Sequence, residues 1–230
     1  MGRISQGSGI VAWVRIARLH FYPMTAIAYS MGALSMRSVK VGFSAALLLG
    51  LLLGLGYTAP PLAFSRRGIG ELDVSFTHGP FSLLFGYLMQ GGGWTAPAPW
   101  LLAVPFFLSV FQAILLAGLP DRKTDAEAGK RTLAVRWGPR ATVALSLCAL
   151  LVSIPALAGL WALGILRAVP PPLLLAVGLH AVLLTVLLAR YLREGAHDGR
   201  IDTILMVSLG YIAWPGALPL IDFLLRSAAR

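Results

Sequence analysis

The chain has 230 residues, of which 57% are apolar and only 12% are charged. Soluble domains average about 45–50% apolar and about 25% charged, so a disordered chain, a coiled coil and most soluble enzymes are excluded. The lone cysteine, Cys148, excludes a disulfide scaffold, and the class that remains is an integral membrane protein whose apolar excess faces lipid.

In chain order, the opening MGRISQGSG has no isolated apolar core leading to a small-residue cleavage site, so no signal peptide is expected there. Gln6 stands where a myristoylation signal needs Ser or Thr. A bilayer core takes about 20 apolar helical residues at about 1.5 Å rise each. Seven stretches qualify, roughly 10–36, 41–58, 76–92, 98–119, 139–164, 169–193 and 201–226, the third being short and ending in Gly91-Gly92-Gly93. Pro23, Pro105, Pro155 and Pro215 fall inside these spans, which membrane helices tolerate where neighbours satisfy the freed carbonyls. No linker or low-complexity tail divides the chain. Residues 1–230 therefore read as one domain, an all-α, multi-pass transmembrane helical bundle of about seven helices.

Basic residues orient such a bundle, because cytoplasmic loops carry the excess of Lys and Arg. On the side of the N-terminus fall fourteen of the nineteen, among them Arg66, Arg67, Lys130, Arg131 and Arg136, against five on the other side. The expected location is the cell membrane with the N-terminus in the cytoplasm. Trp94 and Trp100 flank a loop without Lys or Arg and suit an outer interfacial belt. The net charge of +10 is thus ascribed to topology, and nucleic acid is not an expected partner, since no basic run is interleaved with aromatics. Eight of the nine carboxylates also fall on the N-terminal side, Asp222 being the exception. Topology makes little use of acids, so this one-sidedness points to a site for a metal and an anion.

The densest such segment is Pro120-Asp121-Arg122-Lys123-Thr124-Asp125-Ala126-Glu127-Ala128-Gly129-Lys130-Arg131-Thr132. Asp121 and Asp125 share a face if the helix continues. Paired carboxylates suit Mg²⁺, which takes one or two of them and completes its shell with water and substrate phosphates. Lys130, Arg131 and Arg136 add positive charge for a diphosphate. The plainer reading of the two acids alone is a solvated loop; the whole string behind a membrane helix favours the site.

DRKTDAEAGKRTLAVRWG resembles the second aspartate-rich motif of the UbiA-type membrane prenyltransferases, approximately DxxxDxxxGKRTLAVRxG. Tyr57-Thr58-Ala59-Pro60-Pro61-Leu62, followed by Arg66-Arg67-Gly68-Ile69-Gly70-Glu71, is similar to the family's YSxPPLK…RGxGE segment, and Ala17-Arg18-Leu19-His20-Phe21-Tyr22-Pro23 to its first helix. The resemblance implies a helical bundle with a cavity open to the membrane. It implies Mg²⁺-dependent transfer of a prenyl group from a polyprenyl diphosphate to an aromatic, quinone-type or lipid acceptor. In that picture Asp121 and Asp125 hold the metal, while Arg66, Arg67, Lys130 and Arg131 hold the diphosphate.

The chain departs from the pattern in one respect. The family's first motif, NxxxDxxxD, has no counterpart, since the chain contains no Asn and its first carboxylate is Glu71. Two spans precede YTAPPL where the family norm of nine helices has four. Three readings of that gap follow: a truncated product, a shortened relative that binds without turnover, or replacement of the lost acids. The candidate replacements are Asp198 with Asp202, a second DxxxD, and Glu71 with Asp73; Asp198 and Asp202 also read as caps for the last helix. His20 and His180 are expected as packed histidines, His78 and Pro80 as helix starters, and Gln112 as either an interhelical contact or a cavity-lining group. Gly50 and Gly54 permit close helix approach, and Cys148 is expected as an apolar filler.

Overall fold

The structure, a computed structural model, describes residues 41–194 and 198–229, with side chains from residue 48 to 194 and from 201 to 229. The predicted span 10–36, His20 and the side chain of Asp198 lie outside the described residues. Within them the chain is helical throughout and has no strand. Helices α1 (Val41–Gly56), α2 (Phe64–Arg67) and α3 (Gly70–Phe76) are followed by a π-helical turn, Thr77–Phe81, and by α4 (Ser82–Met89). Then come α5 (Pro97–Ala117), α6 (Arg122–Glu127), α7 (Leu133–Ala162), α8 (Pro171–Glu194) and α9 (Asp198–Ala228).

Helices α5, α7, α8 and α9 are long and apolar enough to cross a membrane, and they answer to the last four predicted spans. The third predicted span, 76–92, is the later part of a longer helical rod, since α3, the π turn and α4 run on without interruption from Gly70 to Met89, and residues 70–75 precede the span. His78 and Pro80 therefore lie inside this rod and do not start it. Pro80 has no N–H to give the preceding turn, and the wider π turn accommodates it, while His78 Nδ1 bonds the Val74 carbonyl at 3.0 Å. In α7 the backbone leaves helical geometry at Gly138 (φ 77, ψ 172) just before Pro139. The membrane-crossing part thus starts where the sequence placed it, and residues 133–137 form a separate turn at the polar end.

Helix α5 is the centre of the bundle and packs against α3, α7 and α9, while α8 closes onto α7 and α9. The core they enclose includes Leu116, Val143, Leu150, Leu184, Leu188 and Tyr211. In lipid the apolar surfaces gain little by meeting each other, so close packing and interhelical hydrogen bonds select the partners. Gln112 supplies the main set. Its Nε2 donates to the carbonyls of Ser109 (3.1 Å) and Ser208 (3.3 Å), Ser208 Oγ donates to its Oε1 (2.8 Å), and Ser146 Oγ donates to its carbonyl (2.9 Å). Gln112 is thus an interhelical contact joining α5, α7 and α9. His180 on α8 is likewise engaged: Trp214 Nε1 donates to its Nδ1 at 3.1 Å, which leaves Nε2–H to donate to the Val207 carbonyl at 2.9 Å.

Two minor expectations change. Cys148 is exposed on α7 and fills no core. Among the described residues, a Cβ on Gly54 would meet nothing within 4 Å, so none of the described helices approaches closely there. At the end of the bundle remote from the acidic segment, Asp222 Oδ1 accepts from the Ala168 amide (2.7 Å), and Oδ2 pairs with Arg226 (2.7 Å), which donates to the Ile165 carbonyl (2.8 Å). This fastens the α7–α8 loop to α9 and accounts for the one carboxylate away from the rest.

Candidate functional site

The acidic segment is shaped by the end of a helix and the start of the next. After α5 the chain turns, and the Asp125 amide bonds the Asp121 carbonyl at 2.8 Å, so the two acids sit one helical turn apart as their spacing requires. Their surroundings differ: Asp121 is exposed, whereas Asp125 is only 6% exposed. Helix α6 then stops in a Schellman motif. The Gly129 amide bonds the Ala126 carbonyl and the Lys130 amide bonds the Asp125 carbonyl, with Gly129 in the left-handed region (φ 71) that this ending demands. The reversal returns Lys130 to Asp125, and its Nζ pairs with Asp125 Oδ1 at 2.6 Å.

Helix α7 begins immediately afterwards. Thr132 is its N-cap, with Oγ1 accepting from the Val135 amide. The Leu133 amide, one of the donors that no helix satisfies internally, is taken by Glu71 Oε1 at 2.6 Å from 62 residues away in sequence. Beside it the Arg131 amide donates to the Ser65 carbonyl at 3.1 Å. Gly68, with φ 79, ends α2, and a Cβ there would lie 2.9 Å from the Arg131 carbonyl oxygen and 2.5 Å from Arg136 Nη1. The two segments singled out by the sequence are therefore clasped together, the first by its backbone and Glu71, the second by its backbone and Arg136.

This brings the basic residues to one end of the bundle. Arg66, Arg67 and Arg131 are exposed; Arg67 donates to the Pro61 carbonyl at 2.6 Å. Lys130 is partly covered by its pairing with Asp125. Glu71 is 6% exposed, and among the described residues its Oε2 has no hydrogen-bond partner. Burial holds the Glu71 carboxyl above its usual range; the Leu133 hydrogen bond opposes this, and nearby Asp125 adds to it. Asp73, just before the predicted span, is pushed up to about 6 by burial, and among the described residues its Oδ1 is without a partner. Asp202 is exposed in the first turns of α9, and α9 itself starts at Asp198.

Asp121 and Asp125 offer the all-oxygen donor set of a hard divalent ion, and two carboxylates one turn apart suffice for one such ion when a diphosphate supplies the rest. Among the described residues no group of three or more His, Cys, Asp or Glu comes together to hold a metal. The sequence missed Ser65, Gly68 and the Leu133 amide. Two of the three act through backbone atoms, which leave no side-chain signal, and Gly68 stood inside the matched RGxGE string without a stated role.

Residues 15–209 match the profile of the UbiA prenyltransferase family. The chain belongs to the UbiA prenyltransferase family. Among curated relatives, "UbiA prenyltransferase domain-containing protein 1" of Homo sapiens is 33% identical over 78 residues, 34% of this chain and 23% of that protein. The protein of the same name in Dictyostelium discoideum is 28% identical over 89 residues, 39% of this chain and 27% of that protein. This family member thus matches about a quarter of the length of the curated relatives. No solved structure matches it.

Proposed function

We propose that the chain transfers a prenyl group from a polyprenyl diphosphate to an aromatic, quinone-type or lipid acceptor, with Mg²⁺ as cofactor. The observation that carries this reading is the clasp between residues 57–71 and 121–136, which gathers Arg66, Arg131, Lys130 and the Asp121–Asp125 pair at one end of an apolar bundle. A prenyl diphosphate has one apolar and one strongly anionic end, and this arrangement offers a surface to each.

In this reading Asp121 and Asp125 hold the ion, which when bound supplies charge neutralisation to the departing diphosphate. Arg66, Arg67 and Arg131 bind the diphosphate oxygens, and their charge counts most as the allylic C–O bond breaks and negative charge moves onto the leaving group. Lys130 neutralises Asp125, and it would be available to bind a phosphate oxygen if a divalent ion held that carboxylate.

A second reading is a family member that binds the diphosphate but turns it over slowly or not at all. It is favoured by the missing Asn-containing motif and by the lack of a three-acid group among the described residues. One experiment separates the two. The purified chain in lipid nanodiscs is given Mg²⁺, a labelled prenyl diphosphate and a panel of hydroxylated aromatic and lipid acceptors. Transfer abolished by Asp125→Asn supports the enzyme; Mg²⁺-dependent binding without transfer supports the second reading. Neither binding nor transfer refutes both.

A further inference from the structure

We propose that Glu71 is a positioning residue, which holds the 121–136 segment in register with the 57–71 segment so that the cation carboxylate and the arginines of both segments face one diphosphate. This rests on the prenyl-diphosphate reading above and adds a residue to it.

The argument starts from what a buried carboxylate costs. Glu71 is 6% exposed, and one of its two oxygens has no partner among the described residues. Such a group is retained against its desolvation only where the other oxygen does something specific. That oxygen accepts from the Leu133 amide at 2.6 Å. Leu133 opens the helical turn 133–137, which precedes the break in α7 at Gly138, and its N–H is among the donors that such a turn does not satisfy internally. A carboxylate there forms a charge-assisted bond, shorter and stronger than a neutral one. Thr132 caps the same helix through the Val135 amide, so α7 has a cap of its own and Glu71 is additional. What Glu71 contributes is a tie across 62 residues of sequence.

The position of the tie matters. Leu133 follows Arg131 and Thr132 directly, and Lys130, which pairs with Asp125, precedes them. Any shift of Leu133 is passed along an almost inextensible backbone to Arg131 within two residues. On the other segment Glu71 lies in the first turn of α3, behind Gly68, which is packed under the Arg131 carbonyl and the Arg136 guanidinium. Glu71 thus fixes the distance between the two groups of cations. A gap that opens by an ångström leaves each group intact but no longer complementary to one diphosphate.

The test uses the full chain in nanodiscs, with Glu71→Ala and Glu71→Gln. Glu71→Gln keeps a carbonyl oxygen for the Leu133 amide, and Glu71→Ala does not. Hydrogen exchange by mass spectrometry is read over peptides from 121–136 and from 177–191, and Mg²⁺-dependent affinity is read with inorganic pyrophosphate. The expected result for Glu71→Ala is faster exchange confined to 121–136 and at least a tenfold loss of affinity. Glu71→Gln should restore most of both. Unchanged exchange in Glu71→Ala overturns the tie. Faster exchange with unchanged affinity overturns the positioning role, leaving a purely structural contact. Equal losses in Glu71→Gln and Glu71→Ala also overturn it, because the shared acceptor oxygen then does not matter. If the unaltered chain binds no pyrophosphate, the prenyl-diphosphate reading fails and the purpose assigned to Glu71 fails with it. The exchange pattern, which needs no ligand, still distinguishes that case from a missing tie.

Discussion

Gly68→Ala is the sharpest probe of the clasp, and Gly129→Ala is its internal control. Both glycines are in the left-handed region, with φ 79 and φ 71, so alanine at either costs about 1–2 kcal/mol of backbone strain. Both substitutions also gain the same small amount, about 0.4–1 kcal/mol, by stiffening the unfolded chain, and this cancels in the comparison. The difference lies in what the new methyl meets. At Gly129 there is nothing within 4 Å; at Gly68 there are Arg136 Nη1 at 2.5 Å and the Arg131 carbonyl oxygen at 2.9 Å. The guanidinium can swing aside, but the carbonyl is backbone, and the same residue's amide is tied to the Ser65 carbonyl. Overpacking of this kind costs about 1–3 kcal/mol. Gly68→Ala should therefore be less stable than Gly129→Ala by about 2 kcal/mol, which at about 2–4 °C per kcal/mol for chains of this length is about 4–8 °C. The assay is the apparent unfolding midpoint in one detergent at one heating rate, since unfolding there is governed partly by rate. Equal midpoints for the two variants would show that the 57–71 and 121–136 segments are not in contact at Gly68, and the clasp would fall.

Three further outcomes are expected. Gln112→Ala removes the side-chain bonds that join α5 to α9 and strands Ser208 Oγ; it should cost about 1–2 kcal/mol, the range of strong polar contacts between membrane helices, and a loss below a few tenths in the same thermal assay would count against the network. Asp73, held at about 6 against an ordinary 3.8, binds its proton more tightly folded than unfolded, so its protonation favours the fold at low pH and that contribution is lost as pH rises from about 4 through about 6. Asp73→Asn should flatten the midpoint-against-pH curve across that window and be the more stable form at pH 7; an unaltered slope would show that the carboxyl is not buried. For topology, α5 spans about 31 Å at the usual helical rise and separates Thr95 from Ala128. In a Cys148→Ala background a membrane-impermeant thiol reagent outside the cell should label Thr95→Cys and not Ala128→Cys, and the opposite pattern would invert the orientation.

The long apolar stretches already marked α5, α7, α8 and α9, because about 20 apolar residues in a row have no stable place except across a bilayer. The motif strings already marked both halves of the candidate site. What no periodicity carries is the meeting of distant segments. Only the packed bundle brings Glu71 to the Leu133 amide and Gln112 to Ser208, 96 residues on. It alone makes Asp125 buried and Asp121 exposed, though in sequence the two are equivalent ends of one DxxxD. The reason is physical: helix formation and membrane insertion depend on the local run of side chains, whereas pairing between helices depends on shape and on where unsatisfied backbone groups emerge. Those groups are the same in every residue, so their partners become visible only when the chain is folded.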